Sequence, residues 1–227
     1  MTQSKIKLVM FDLDGTLVDS IPDLAWSADR TLERLGLPLC GIEKTRDYIG
    51  NGLFTLIKRI LTQDMNQEPD PELYEKAVPI FWEFYGNNVC QFSTLYDGAA
   101  ETLQTLKSQG YKVACITNKA EEFTKTLLRH LQIINLFDQI IGGDTLARKK
   151  PDPLPLLHVA ETQQLAIEQC LMVGDSRHDI AAAKAAGISV VGVPYGYNHG
   201  EDIALSEPDY IVQSLRELPD LLLALQQ

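Results

Sequence analysis

The chain has 227 residues, and its 20 lysines and arginines stand against 31 aspartates and glutamates, a net charge of −11. That balance argues against nucleic acid or an anionic membrane as the main partner, while leaving room for a small anionic ligand in a locally basic site. Cys40, Cys90, Cys115 and Cys170 lie far apart with no C-x-x-C pair, which argues against a disulfide framework and a zinc site.

A hydrophobic content of 45% suits a sizeable core, or a core with a smaller second domain. No apolar run approaches the length of a bilayer crossing. The opening "MTQSKIKLVMFDLDG" has no signal-peptide core or cleavage site, so a cytoplasmic protein is expected.

In chain order, the first expected strand is Lys5–Phe11, which ends in Asp12 and Asp14. From Ser20 to about Leu95 the pattern is helical, at Pro22–Leu35, Gly52–Thr62 and Pro71–Gly86, with no convincing strand. This stretch reads as an insertion. The division expected is a core of residues 1–18 and 95–227, with an all-α cap of residues 19–94.

Beyond it, strands at Lys112–Thr117, Gln139–Gly142, Cys170–Val173, Ser189–Val193 and Tyr210–Val212 alternate with helices. Those helices fall at Ala99–Gln109, Ala120–His130, Leu154–Glu161 and Asp179–Ala186, and "LRELPDLLLALQQ" reads as a closing amphipathic helix. The alternation predicts an α/β fold, a mostly parallel sheet flanked by helices.

Polar clusters follow four strands in turn: Asp12 and Asp14, then Thr117 and Asn118, then Lys149 and Lys150, then Asp175 and Asp179. In an open parallel sheet the carboxyl ends form one edge, where ligands bind. Each cluster also has an ordinary reading: a "DG" turn, a helix N-cap, a solvated lysine pair, a first-turn aspartate. Their convergence on one edge favours a site. Three aspartates meeting there would hold a proton or a cation, and all-oxygen donors suit Mg2+. With a lysine and hydroxyl or amide donors beside them, they make a site for a phosphoryl group.

"DLDGTLVDS", "TN" after a strand, "KKPDP" and "GDSRHDI" resemble the four ordered motifs of the haloacid dehalogenase superfamily, over the whole chain and with the cap in its place. The resemblance implies a Rossmann-like catalytic core in which Asp12 is the nucleophile and Asp14 the general acid and base. Asp12, the main-chain carbonyl of Asp14, and Asp175 would bind Mg2+. Thr117 would hold the phosphoryl oxygens with Asn118 in support. Lys150, rather than Lys149, would neutralise nucleophile and phosphate, because it directly precedes the proline. Asp179 would orient the lysine or a metal-bound water.

An acid two residues after the nucleophile serves a phosphate ester, whose leaving oxygen needs a proton, better than a halide. The cap segment "DYIGNGLFTLIKRIL" and the loop "VGVPYGYNHG" resemble those of bacterial phosphoglycolate phosphatases more than those of sugar phosphomutases. The expected activity is therefore Mg2+-dependent hydrolysis of a small phosphate ester, 2-phosphoglycolate foremost, by a monomer or homodimer. The alternatives are a phosphomutase, a phosphatase for another small sugar phosphate, or a phosphate-binding regulatory domain without turnover. Gly50 and Gly52 would let cap N–H groups approach a small carboxylate, with Arg46, Lys58 or Arg59 adding charge. His178 and His199 read as surface histidines.

Overall fold

The unbroken apolar run Leu8–Phe11 is wholly buried, as a strand covered on both faces must be. In the computed structural model, which describes residues 6–226, this first strand (β1) lies inside a six-stranded sheet. The other strands in chain order are Val18–Asp19 (β2), Thr94–Leu95 (β3), Lys112–Ile116 (β4), Gln139–Ile141 (β5), Cys170–Gly174 (β6), Ser189–Gly192 (β7) and Tyr210–Ile211 (β8). The sheet order is β5-β4-β1-β6-β7-β8, and every neighbouring pair in it is parallel. This is the expected α/β architecture. Of the anticipated first strand, Lys5 lies outside the described residues.

Between β2 and β3 run four helices, Ile21–Arg34 (α1), Gly41–Tyr48 (α2), Leu53–Thr62 (α3) and Pro71–Asn87 (α4). The remaining helices are Ala99–Ser108 (α5), Glu121–His130 (α6), Leu154–Thr162 (α7), Arg177–Ala186 (α8) and Leu218–Ala224 (α9). Alternation along the strands sorts the core into two layers. Val9, Phe11, Val113, Cys115 and Val173 pack with Leu103 of α5, Leu127 of α6 and Leu222 of α9. Leu8, Met10, Ala114, Ile116 and Met172 face the other way, onto Leu156 of α7 and Ile180 of α8.

Three features depart from the sequence reading. α2 was not anticipated, because "GIEKTRDY" buries only Thr45 and Tyr48 and so carries too few apolar residues to show a period. β2 and β3 are two residues each, too short to alternate, yet they pair antiparallel through Val18–Leu95 and Asp19–Thr94. The anticipated closing helix is a 3-10 turn, Leu215–Glu217, followed by α9, which has a proline in its first turn. Its last residue, Gln227, is outside the described residues.

The β2–β3 pair is where the chain leaves the sheet for the helices and returns. Asp23, 1% exposed in the first turn of α1, accepts hydrogen bonds from the N–H groups of Phe92 and Ser93 and from the Ser93 hydroxyl. A buried carboxylate with three donors is well satisfied, so the two connections are tied side by side.

Candidate active site

Register brings the candidate residues together. Phe11 stands level with Cys115 on β4 and with Val173 on β6, so Asp12, Thr117 and Asp175 emerge within one residue of the same height on the sheet's carboxyl edge. The Asp12 N–H donates to the Val173 carbonyl, extending the ladder by one step.

Asp12 and Asp14 leave β1 two residues apart but are held by different cations. Asp12 Oδ1 accepts from the Leu13 N–H at 2.7 Å and lies 3.0 Å from Lys150 Nζ. Lys150, 2% exposed, also donates to Asp179 Oδ1 at 2.6 Å and to the Ile116 carbonyl. Asp14 points away from this group: its two oxygens lie 3.0 and 2.8 Å from Lys119 Nζ, and Oδ1 also accepts from Ser20 Oγ at 2.6 Å. Lys119 was missed in the sequence, where it is an unremarked basic residue after "TN". What marks it is position alone, since it follows the end of β4 beside the aspartates of β1.

Asp175 is wedged between glycines. A Cβ on Gly15 would stand 2.2 Å from Asp175 Oδ2, and one on Gly196 would stand 2.3 Å from it. Its oxygens accept from Thr16 Oγ1 and from the Tyr197 N–H, each at 2.6 Å. Carboxylate oxygens of Asp12, Asp175 and Asp179 lie within 4.8 Å of one another. Burial, helped by the charge of Asp179 and opposed by Lys150, pushes the Asp12 carboxyl up to about 7. Burial and the charges of Asp12 and Asp179 likewise raise Asp175 well above the carboxylate range. Burial would lower Lys150, but its two carboxylate partners more than offset it and hold it above the lysine range.

Such a cluster carries more negative charge than one lysine answers, and its donors are all oxygen, which fits a hard dication. Asp179 already receives Lys150 on one oxygen and the Ser176 N–H and hydroxyl on the other, as the capping box of α8. The donors left for a cation are Asp12, Asp175 and the carbonyl of Asp14, which accepts no hydrogen bond among the described residues.

Thr117, 4% exposed, accepts from the Lys119 N–H at 3.2 Å and does not cap α6, whose N-cap is Ala120. Asn118 spans the seam, donating to the Gly50 carbonyl on the cap side at 3.0 Å and to the Lys150 carbonyl at 2.9 Å. Lys149 does not reach the aspartates; its Nζ donates to the Asn51 carbonyl at 2.7 Å. Gly50, Gly52 and Leu53 face Asp12, Asp14, Thr117, Asn118 and Lys119 across a small cavity.

Of the three basic residues expected to add charge, two turn elsewhere. Lys58 pairs with Glu68 at the surface, and Arg59 is buried against the carbonyls of Tyr48 and Met65. Arg46 lines a neighbouring cavity with Asp175, Tyr197 and Asn198. The histidines are not surface residues. His178 is half-buried, 2.9 Å from the Asn51 amide, and burial pushes it down to about 4. His199, also half-buried, meets the Asp47 carbonyl at 2.7 Å. Both lie in the seam because the loop after β7 and the start of α8 fold against the residues around Gly50.

A family model for haloacid dehalogenase-like hydrolases matches residues 9–193, a range that holds Asp12, Asp14, Thr117, Asn118, Lys119, Lys150, Asp175 and Asp179. The chain belongs to that family. Among haloacid dehalogenase-like relatives, a phosphoglycolate phosphatase of Nitrosococcus oceani is 51% identical over 216 residues, covering 95% of this chain and 96% of the relative. One from Thiobacillus denitrificans is 46% identical over 93% of each chain. The crystal structure of a predicted phosphoglycolate phosphatase from Haemophilus somnus superposes with a TM-score of 0.91 at 38% identity, covering 97% of this chain and 99% of that one. No helix among the described residues of this family member is long and apolar enough to cross a membrane.

Proposed function

We propose that the protein is a Mg2+-dependent phosphatase that hydrolyses 2-phosphoglycolate to glycolate and phosphate through an aspartyl-phosphate on Asp12. The observation that carries this is the division between the two aspartates of "DLD": one is held by Lys150 and the other by Lys119, so each is free for a separate task. The names of the relatives support the substrate.

Asp12 Oδ1 is engaged by Leu13 and Lys150, so Oδ2 is the oxygen that attacks phosphorus. The bond from phosphorus to the leaving oxygen breaks, and that oxygen takes a proton from the Asp14 carboxyl. Water then attacks the aspartyl-phosphate, gives its proton back to Asp14, and phosphate departs with Asp12 restored. Lys150 and Thr117 face the developing charge, Asn118 fixes the loop beside them, and Asp179 positions Lys150. Asp12, Asp175 and the Asp14 carbonyl would hold Mg2+, which supplies positive charge to the phosphoryl oxygens when bound. Gly50 and Gly52 bring cap N–H groups to the cavity, which closes out water.

With Mg2+ the protein is expected to hydrolyse p-nitrophenyl phosphate, and chelation is expected to stop it. Among 2-phosphoglycolate, glucose 1-phosphate and pyrophosphate, 2-phosphoglycolate should give a kcat/KM at least about tenfold above the others. Equal rates on all three would overturn the substrate and leave the chemistry. Phosphate released in step with substrate lost would exclude a phosphomutase.

Gly52 tests the cap. Its φ of +84° and ψ of 165° lie where essentially only glycine sits, and a Cβ there would be 2.9 Å from the Asn118 carbonyl oxygen. Gly52→Ala should therefore lower kcat/KM by about tenfold or more, while the thermal unfolding transition stays cooperative.

A further inference from the structure

Phosphoryl transfer at Asp12 needs one buried lysine, and the described residues include two, Lys150 and Lys119. Lys119 has a side chain only 1% exposed, yet it lines the cavity with Asp12 and Asp14, opposite Gly50 and Gly52. Phosphoryl transfer asks for a cation at the nucleophile, which Lys150 provides; a proton donor at the leaving oxygen needs none. We infer that Lys119 is a specificity-determining residue that binds an anionic group on the substrate beside the scissile ester, namely a carboxylate on the alcohol portion. The inference rests on the phosphatase reading above and deepens it.

Connectivity supports this. In a phosphate ester of a 2-hydroxy acid the carboxylate is separated from the leaving oxygen by a single carbon. Asp14 must reach that oxygen to protonate it, and Lys119 Nζ lies within 3.0 Å of both Asp14 oxygens. A carboxylate on that carbon thus arrives beside Lys119.

The ammonium has three donors, of which Asp14 takes two. The third meets no carboxylate among the described residues, and Ser20 keeps Asp14 in place when the lysine shares its charge. On the other side, Nζ lies 5.0 Å from the ring of Tyr85, a neutral group that leaves the charge unanswered. Opposite, α3 has Gly52 as its N-cap, with no side-chain cap and no acidic residue in its first turn, so its N–H groups also favour an anion. A neutral sugar phosphate would leave this charge unanswered.

The test compares 2-phosphoglycolate with 2-hydroxyethyl phosphate, which has similar size and no carboxylate. Dissociation constants are measured by calorimetry on Asp12→Asn, which should bind without turning over, and on the same variant carrying Lys119→Met or Lys119→Arg. The carboxylate should tighten binding by about thirtyfold, the size of one charge-assisted hydrogen bond. That preference should fall below about threefold with methionine and persist in large part with arginine. An unchanged preference in Lys119→Met overturns the inference.

Should the double variants fail to fold, the wild-type ratio of kcat/KM for the two esters decides, and a ratio near one overturns it. Discrimination in binding without turnover by the wild type would sink the phosphatase reading and leave Lys119 standing. Turnover of both esters alike would do the reverse.

Discussion

Asp12→Asn is expected to lower p-nitrophenyl phosphate hydrolysis by about a thousandfold or more, because the amide cannot attack phosphorus. The variant separates chemistry from structure well. Asparagine keeps the shape, and its Oδ1 can still accept the Leu13 N–H. Lys150 retains Asp179 at 2.6 Å.

The stability effect has a definite sign. Burial and Asp179 raise the Asp12 carboxyl to about 7, from an ordinary value of 3.8. What this group contributes to stability is therefore present at low pH and is lost as pH rises from about 4 through about 7. At pH 8 in metal-free buffer the variant should melt at the wild-type temperature or above it. At pH 4 the gain should vanish. Hydrolysis within tenfold of wild type would end the aspartyl-phosphate mechanism.

Lys150→Met should cost both activity and stability. The ammonium is the cation shared by Asp12 and Asp179, at 3.0 and 2.6 Å, in a site where no group of the pair is well hydrated. Removing one partner of such a buried pair typically costs about 3–5 kcal/mol, because the other charges stay behind. Methionine fills much of the volume, so packing is not the main loss.

The loss should be greatest above pH 7 and shrink as pH falls toward 4, since a proton on Asp12 then does what the lysine did. Urea midpoints of both proteins across this range would show it. A loss independent of pH would assign Lys150 a packing role instead. Activity should fall by about a thousandfold, since neither nucleophile nor phosphoryl oxygens retain the cation.

Much of the fold was legible because its signals are long and repetitive. Strand and helix alternation after residue 95 predicted a parallel sheet, and "DLDGTLVDS" and "KKPDP" marked two of the polar clusters at its carboxyl edge. What escaped notice was short or depended on distant partners. α2 buries only two residues, and β2 and β3 become strands only by meeting each other.

The same holds for Lys119. Nothing within "TNKAEEF" distinguishes it from a surface lysine, because the carboxylate that pairs with it belongs to Asp14, just beyond β1. The histidines were misplaced for a related reason. His178 and His199 become half-buried only through contacts with Asn51 and Asp47, on an element far away in sequence. Lys58 and Arg59 show the converse, since charge on a helix does not reveal which face meets the cleft.

The place of β1 between β4 and β6 also sets a timetable. The strand that leads into Asp12 is synthesised before both of its sheet neighbours, of which β4 ends at residue 116 and β6 only at residue 174 of 227. Asp12 thus precedes both strands that flank β1, and Asp175 can reach it only after β6 has emerged. A prematurely ended chain would hold an intact "DLD" and no reactive centre. The order of strands makes competence to react a late event in the life of each molecule.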